Sequence, residues 1–169
     1  MDEINSQVYA CHKCRLWQGA KHGVPGEGSV NAKIMIVGQN PGAEEDETGK
    51  PFVGRAGQFL TKSLREFGIN RADFFITNIV KHTSPKNRKP LPDEIQACVP
   101  YLITQIEIIK PKIIVLLGES AKKTPRMDGI EYFEIIHPSA AMRFPKTGER
   151  FRLQIAELAQ KIKALNAQK

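Results

Sequence analysis

Apolar and polar positions follow two different periods along this chain. Four short runs are almost continuously apolar, at residues 33–38, 73–78, 112–118 and 130–136. Runs of this length, rich in β-branched and aromatic residues, predict strands buried on both faces. The fourth keeps a partial period-2 alternation, which predicts a sheet edge. Between the runs the spacing turns helical. Residues 57–67 place Phe59, Leu60, Leu64 and Phe67 on one face, and Gly68 closes the pattern. Pro92, Asp93 and Glu94 open a helix that reaches Ile109 and stops before Pro111, and residues 149–164 form a third amphipathic stretch. Strands alternating with helices imply an α/β fold whose parallel sheet is covered on both faces. Ligands of such sheets bind at the carboxyl ends of the strands. The loops at those ends are Gly38-Gln39-Asn40-Pro41-Gly42, the segment from Asn78 onward, and His137-Pro138-Ser139.

Composition adds bounds. The 169 residues are 41% hydrophobic and 25% charged, values of a globular chain and not of a disordered or fibrous one. One domain spanning 1–169 is the expectation at this length. The longest apolar run, 113–117, falls far short of the ~20 residues a membrane span needs. The start, Met1-Asp2-Glu3-Ile4-Asn5, has neither the basic nor the apolar region of a secretory signal, so the expected location is the cytoplasm. A net charge of +7 suits a polyanionic partner but also many basic enzymes.

Candidate chemistry sits in a few places. Cys11-His12-Lys13-Cys14 is a CxxC, and Cys98 is the remaining cysteine. A structural disulfide suits a cytosolic chain poorly, and no strand precedes Cys11 as a thioredoxin-type redox pair would require. A metal or cluster held by Cys11, Cys14, Cys98 and His82 is one reading, and a surface CxxC, a buried Cys98 and an unrelated His82 is another. The turn Gly38–Gly42 presents backbone N–H groups and the Gln39 and Asn40 amides, without matching a Walker loop or a dinucleotide fingerprint. The acidic run Glu44-Glu45-Asp46-Glu47 reads as a solvated loop. Phe52, among three glycines and a proline, has little packing reason to be in a loop, and stacking on a flat ligand would supply one.

Taken in order, these segments resemble the type-4 uracil-DNA glycosylases. The likeness runs through the CxxC, the GxxPG turn, the acidic run, Gly-Lys-Pro-Phe-Val-Gly-Arg-Ala-Gly, Thr77-Asn78-Ile79-Val80-Lys81, Asn87-Arg88-Lys89-Pro90, Cys98 and His137-Pro138-Ser139. The resemblance implies a three-layer α/β/α sandwich around a four-stranded parallel sheet, and a monofunctional enzyme. It would flip uracil out of DNA and hydrolyse the N-glycosidic bond. It also implies a [4Fe–4S] cluster, with zinc as the alternative, on Cys11, Cys14, Cys98 and His82. His82 stands where the family usually has a fourth cysteine, as in the DNA-crosslinking family X relatives. Imidazoles do replace thiolates on such clusters in Rieske centres.

By the same resemblance Phe52 stacks on the flipped uracil, Asn78 pairs with its edge, and His137 donates to O2 as the base departs. The Gly38, Gln39 and Gly42 turn forms part of the base site. Type-4 enzymes usually carry a small residue at position 40; Asn is what the mismatch-specific and single-strand-selective branches carry. Asn40 therefore reads as a water positioner, with Glu45 assisting. Met142, in the loop after His137, is the expected wedge into the duplex, and Arg143, Lys86 and Arg88 the expected phosphate contacts. The interval 119–136 is shorter than in type-4 relatives by roughly a β-hairpin. The loop Thr83–Lys89 lacks the histidine with which family X captures the sugar, so turnover is expected, and no lysine is placed for a lyase step. The expected partner is uracil-containing DNA and the expected state a monomer. Another damaged base, such as hypoxanthine or mismatched thymine, and non-catalytic binding of uracil or abasic sites are the competing readings.

Overall fold

The computed structural model describes residues 1–168. Its centre is a parallel sheet of β1 (Ile34–Gly38), β2 (Phe74–Asn78), β3 (Ile113–Leu117) and β4 (Glu131–Ile135), in the order β2-β1-β3-β4. The six α-helices among the described residues are α1 (Asp2–Tyr9), α2 (Ala43–Thr48), α3 (Arg55–Glu66), α4 (Pro92–Ile109), α5 (Pro138–Arg143) and α6 (Pro145–Ala167).

Alternate strand residues face opposite ways, and this sorts the core into two layers. Ile34, Ile36, Phe74, Ile76, Ile113, Val115 and Leu117 pack against Leu60 and Leu64 of α3 and Phe151, Ile155 and Leu158 of α6. Met35, Val37, Phe75, Ile114 and Leu116 pack against Ile95, Leu102, Ile106 and Ile109 of α4. The result is a three-layer α/β/α sandwich. Helix α1 lies outside the second layer, where Ile4, Val8 and Cys11 meet Tyr101.

The two sheet edges are treated differently. β4 is partly exposed, in keeping with its alternation. β2 is buried throughout because Glu27 exchanges backbone hydrogen bonds with Ile76 at 2.9 and 2.8 Å. Gly28 makes this strap possible, since a Cβ there would stand 2.2 Å from the Phe74 carbonyl oxygen. No helix among the described residues is long and apolar enough to cross a membrane.

Two expectations fail locally. The acidic run is not a solvated loop but the helix α2, which buries Glu45 and Asp46. Three acids in its first turn suit the positive end of the helix dipole. The segment after His137 is not an open loop either. Residues 138–143 are helical, and α6 starts directly behind them at Pro145, with proline at a first-turn position where its missing N–H costs nothing.

Candidate active site

The carboxyl ends of β1 and β2 and the turn after β4 open into one cleft of about 850 Å³. Gln39, Asn40, Gly42, Glu45, Phe52, Asn78, His137 and Arg143 all border it. These residues come from four stretches, at 39–45, 52, 78 and 137–143, and strand order brings them together. β1 pairs in register with β2, so Gly38 lies beside Asn78.

Gly38 lies beneath Phe52 and Asn78, two residues that border the cleft. A Cβ there would stand 2.4 Å from Phe52 Cζ and 2.5 Å from Asn78 Oδ1, so glycine alone lets ring and amide approach over it. Asn78 is 2% exposed, and its Oδ1 has no hydrogen-bond partner. An unpaired buried acceptor costs on the order of 1–3 kcal/mol. A ligand N–H in the cleft would remove that cost.

His137 caps α5. The Ser139 N–H donates to its Nδ1 at 3.1 Å, and Ser139 Oγ lies 2.7 Å from the same nitrogen. A backbone N–H can only donate, so Nδ1 is the acceptor and the neutral ring carries its proton on Nε2. Burial pushes the His137 pKa down to about 4. The residue is therefore a neutral hydrogen-bond donor near pH 7.

Phe52 packs better than its loop suggested. It is 7% exposed and joins the core beneath α3. Its ring lies 6.3 Å from that of His137, tilted by 34°. Its backbone is left-handed, with φ +49°, a conformation that costs a non-glycine residue about 1–2 kcal/mol.

Two charged side chains hold that conformation. Arg71 donates to the Phe52 carbonyl at 2.5 Å, the Pro51 carbonyl at 2.7 Å and Thr61 Oγ1 at 3.0 Å. Glu45 Oε2 accepts from the N–H groups of Val53 and Gly54 at 2.8 and 2.6 Å, and Oε1 accepts from Gly42 at 3.0 Å. Glu45 was expected to assist a water, but both its oxygens are engaged by backbone N–H groups. Arg71 escaped the sequence reading because its main partners are main-chain carbonyls, which no residue pattern reports.

Asn40 is tethered as well. Its Nδ2 donates to the Pro41 carbonyl at 3.0 Å and to Ser84 Oγ at 3.3 Å, with Asn87 Oδ1 also at 3.3 Å. Gln39 Nε2 donates to Asn40 Oδ1 at 2.8 Å, and Ser120 Oγ donates to Gln39 Oε1 at 2.9 Å. Lys86 and Asn87 are left-handed, with φ +52° and +55°, and form the tight turn that carries Asn87 to the cleft.

The outer residues are less gathered. Lys86 is exposed beside the cleft lining. Arg88 pairs bidentately with the buried Glu94 at 2.8 and 2.9 Å. Met142 on α5 is 39% exposed, and Phe144, which the sequence reading passed over, is 54% exposed.

On the other side of β2, Cys11, Cys98 and His82 are buried and Cys14 is partly exposed. Burial pushes the Cys98 thiol up to about 11, and Cys11 and Cys14 are near enough to add to the shift. Burial lowers the His82 pKa, with His12 of the CxxC near enough to contribute. His82 Nδ1 is buried without a partner. Among the described residues no three His, Cys, Asp or Glu side chains are gathered closely enough to hold a single metal ion.

Residues 25–160 match the model of the uracil DNA glycosylase superfamily. The chain belongs to that superfamily. Within it the likeness is to type-4 members. The type-4 uracil-DNA glycosylase of Pyrobaculum aerophilum is 39% identical over 179 aligned positions, covering 92% of this chain and 91% of that one. The type-4 enzyme of Sulfurisphaera tokodaii is 52% identical over 124 positions, and that of Saccharolobus solfataricus 53% over 119. Those two alignments cover 73% and 70% of this chain but only 56% and 55% of the relatives' length.

Proposed function

We propose that this protein is a monofunctional uracil-DNA glycosylase, extruding uracil from DNA and hydrolysing its N-glycosidic bond. The observation that carries this reading is the buried, unpartnered Asn78 Oδ1 facing a cleft shared with Phe52 and the neutral His137. The amide offers one acceptor and one donor, which match N3–H and O4 of uracil. Cytosine presents the reversed pattern and would leave both groups unpaired.

The base must leave the stack, because the duplex hides the reacting carbon. Phe52 then lies against its face, and Gly38 leaves room for the ring. As the bond breaks, negative charge collects on O2, where the Nε2–H of His137 donates. A neutral donor fixed by Ser139 is already oriented before the charge develops. On the sugar side Asn40 orients the attacking water, an amide being able to hold water but a poor acceptor of its proton. Glu45 holds the Phe52 loop through Oε2 and Gly42 through Oε1, and its assigned role is to support that loop. Arg143 and Lys86 are assigned to phosphate, and Met142 to the space left by the flipped base.

A [4Fe–4S] cluster on Cys11, Cys14, Cys98 and His82 fits the same reading. The orphaned His82 Nδ1 supports it, as does the clustering of the three thiols. Zinc would need four donors converging on one point, at ~2.3 Å for sulfur, whereas a cube of iron and sulfide spreads its ligands over its corners. Held by these four residues, the group would supply a structural tie between the N-terminal segment and the β2–α4 region. Acting as a cytoplasmic monomer completes the proposal.

The test is excision from labelled oligonucleotides carrying one uracil, hypoxanthine or thymine, developed with alkali. Strand breaks at uracil, absent with His137→Ala, support the glycosylase. Breaks only at another base would move the specificity, and retardation without breaks would leave a damage-binding protein.

A further inference from the structure

Phe52 presents a contradiction that its neighbours resolve. It is a bulky aromatic residue with φ +49°, in a segment where glycine stands at positions 49, 54 and 57 and would relieve any such strain. The strain persists because the peptide planes around it are gripped from both sides. Behind the loop, the two terminal nitrogens of Arg71 donate to consecutive carbonyls, those of Pro51 and Phe52. In front, Glu45 accepts from the next two N–H groups, those of Val53 and Gly54. Gly57 lets the Phe52 carbonyl turn inward, since a Cβ there would stand 1.9 Å from that oxygen.

Accepting the glycosylase reading, we propose that Arg71 is a positioning residue for the base platform. Its planar fork locks the Pro51–Phe52 peptide so that the Phe52 ring stands over Gly38 and beside Asn78, ready to receive an extruded base. The geometry asks for arginine in particular. A guanidinium reaches two carbonyls at once, whereas an ammonium is a point charge without that fork. Thr61, on α3, accepts from the same guanidinium at 3.0 Å and anchors it to the scaffold. Arg71 is absent from the cleft lining, so it acts on the base only through the Phe52 backbone.

A double-mutant cycle tests this on the full chain, with Arg71→Met, Arg71→Lys, Phe52→Ala and the Arg71→Met/Phe52→Ala pair. Under single turnover with saturating uracil-containing duplex, Arg71→Met is expected to lower the excision rate about tenfold, and Arg71→Lys by an intermediate amount. Duplex affinity, measured by retardation, is expected to stay within about twofold, because base capture follows docking. In the Phe52→Ala background the Arg71→Met change is expected to cost less than about twofold. An equal loss in both backgrounds, or none in either, overturns the proposal. Backbone amide exchange of residues 50–54 supplies a readout independent of catalysis. It should accelerate in Arg71→Lys and Arg71→Met while the strands stay protected, and unchanged exchange also overturns the proposal. A wild-type protein that releases no uracil would instead sink the glycosylase reading, and the exchange experiment would still judge Arg71.

Discussion

The backbone N–H of Ser139 donates to Nδ1 of His137 at 3.1 Å, and this one bond decides which nitrogen of the imidazole faces the cleft with a proton. Protonating the ring would set an N–H against the Ser139 N–H. The lowered His137 pKa, about 4, agrees with that arrangement. The acid limb of the excision rate should therefore fall near pH 4, not near the 6.5 of a free imidazole. A rate that drops by half near 6.5 would show an ordinary histidine. His137→Ala should lower the rate at least about a hundredfold, by loss of the preorganised donor.

The same shift bears on stability. With the folded value below the unfolded one, the unfolded chain takes up the proton first as pH falls. The His137 contribution is thus intact above 6.5 and is lost progressively down to about 4. Urea melts across that window should show a steeper decline in the wild type than in His137→Gln.

Lys81 places a buried amine beside Asn78. Its Nζ is fully buried and donates to the Asn78 carbonyl, Thr77 Oγ1 and Gln105 Oε1 at 2.8, 2.6 and 2.8 Å. Lys81→Met would leave those acceptors unpaired and should destabilise the fold by on the order of 3 kcal/mol. The urea midpoint measures it. Burial lowers the Lys81 pKa to about 7 from 10.5, so the unfolded chain binds the extra proton between those values. Wild-type stability should accordingly gain more than that of the methionine variant as pH rises from about 7 towards 10.5.

Gly38→Ala tests the close packing beneath Phe52 and Asn78. The added methyl would meet Phe52 Cζ at 2.4 Å and Asn78 Oδ1 at 2.5 Å, forcing both away from the base. Excision should fall by at least about a hundredfold, as displacements near 1 Å can cost that much. A variant that excises normally would place the base elsewhere.

Asn40 and Glu45 should separate. Asn40→Ala should slow single-turnover excision about tenfold or more, with little change in melting. Glu45→Gln puts an amide where two oxygens accept three N–H groups, so it should loosen residues 50–54 as well as slow the rate. A slowed Glu45→Gln enzyme with unchanged amide exchange would return Glu45 to the water.

For the cluster, purified protein should show the broad visible absorption of thiolate-bound iron, and His82→Ala should lose colour and melting temperature together. Colourless protein containing stoichiometric zinc would decide for the alternative.

Much of the site was legible because strand ends write themselves into sequence. Gly38, Asn78 and His137 each follow an apolar run, and the rule that ligands sit at the carboxyl ends of parallel strands makes one site of three distant segments. The acidic run was misread because four adjacent acids look solvated. Nothing local reveals that Glu45 and Asp46 are turned inward onto backbone donors, Asp46 accepting from the Lys21 N–H at 2.8 Å. Arg88 looked like a phosphate contact until its partner, Glu94 at the start of α4, was seen facing it.

The sequence by itself determined the four strands, the three helices that cover the sheet, its parallel arrangement and the strand-end residues that border the cleft. Periodicity records which face of each element is buried, and short motifs record the groups at strand ends. Only the tertiary structure decided the grip of Arg71 and Glu45 on Phe52, the orphaned oxygen of Asn78 and the tautomer of His137. Each depends on hydrogen bonds to main-chain groups or on their absence. Every residue carries the same main-chain donors and acceptors, so side-chain identity leaves no trace of which ones a fold will pair.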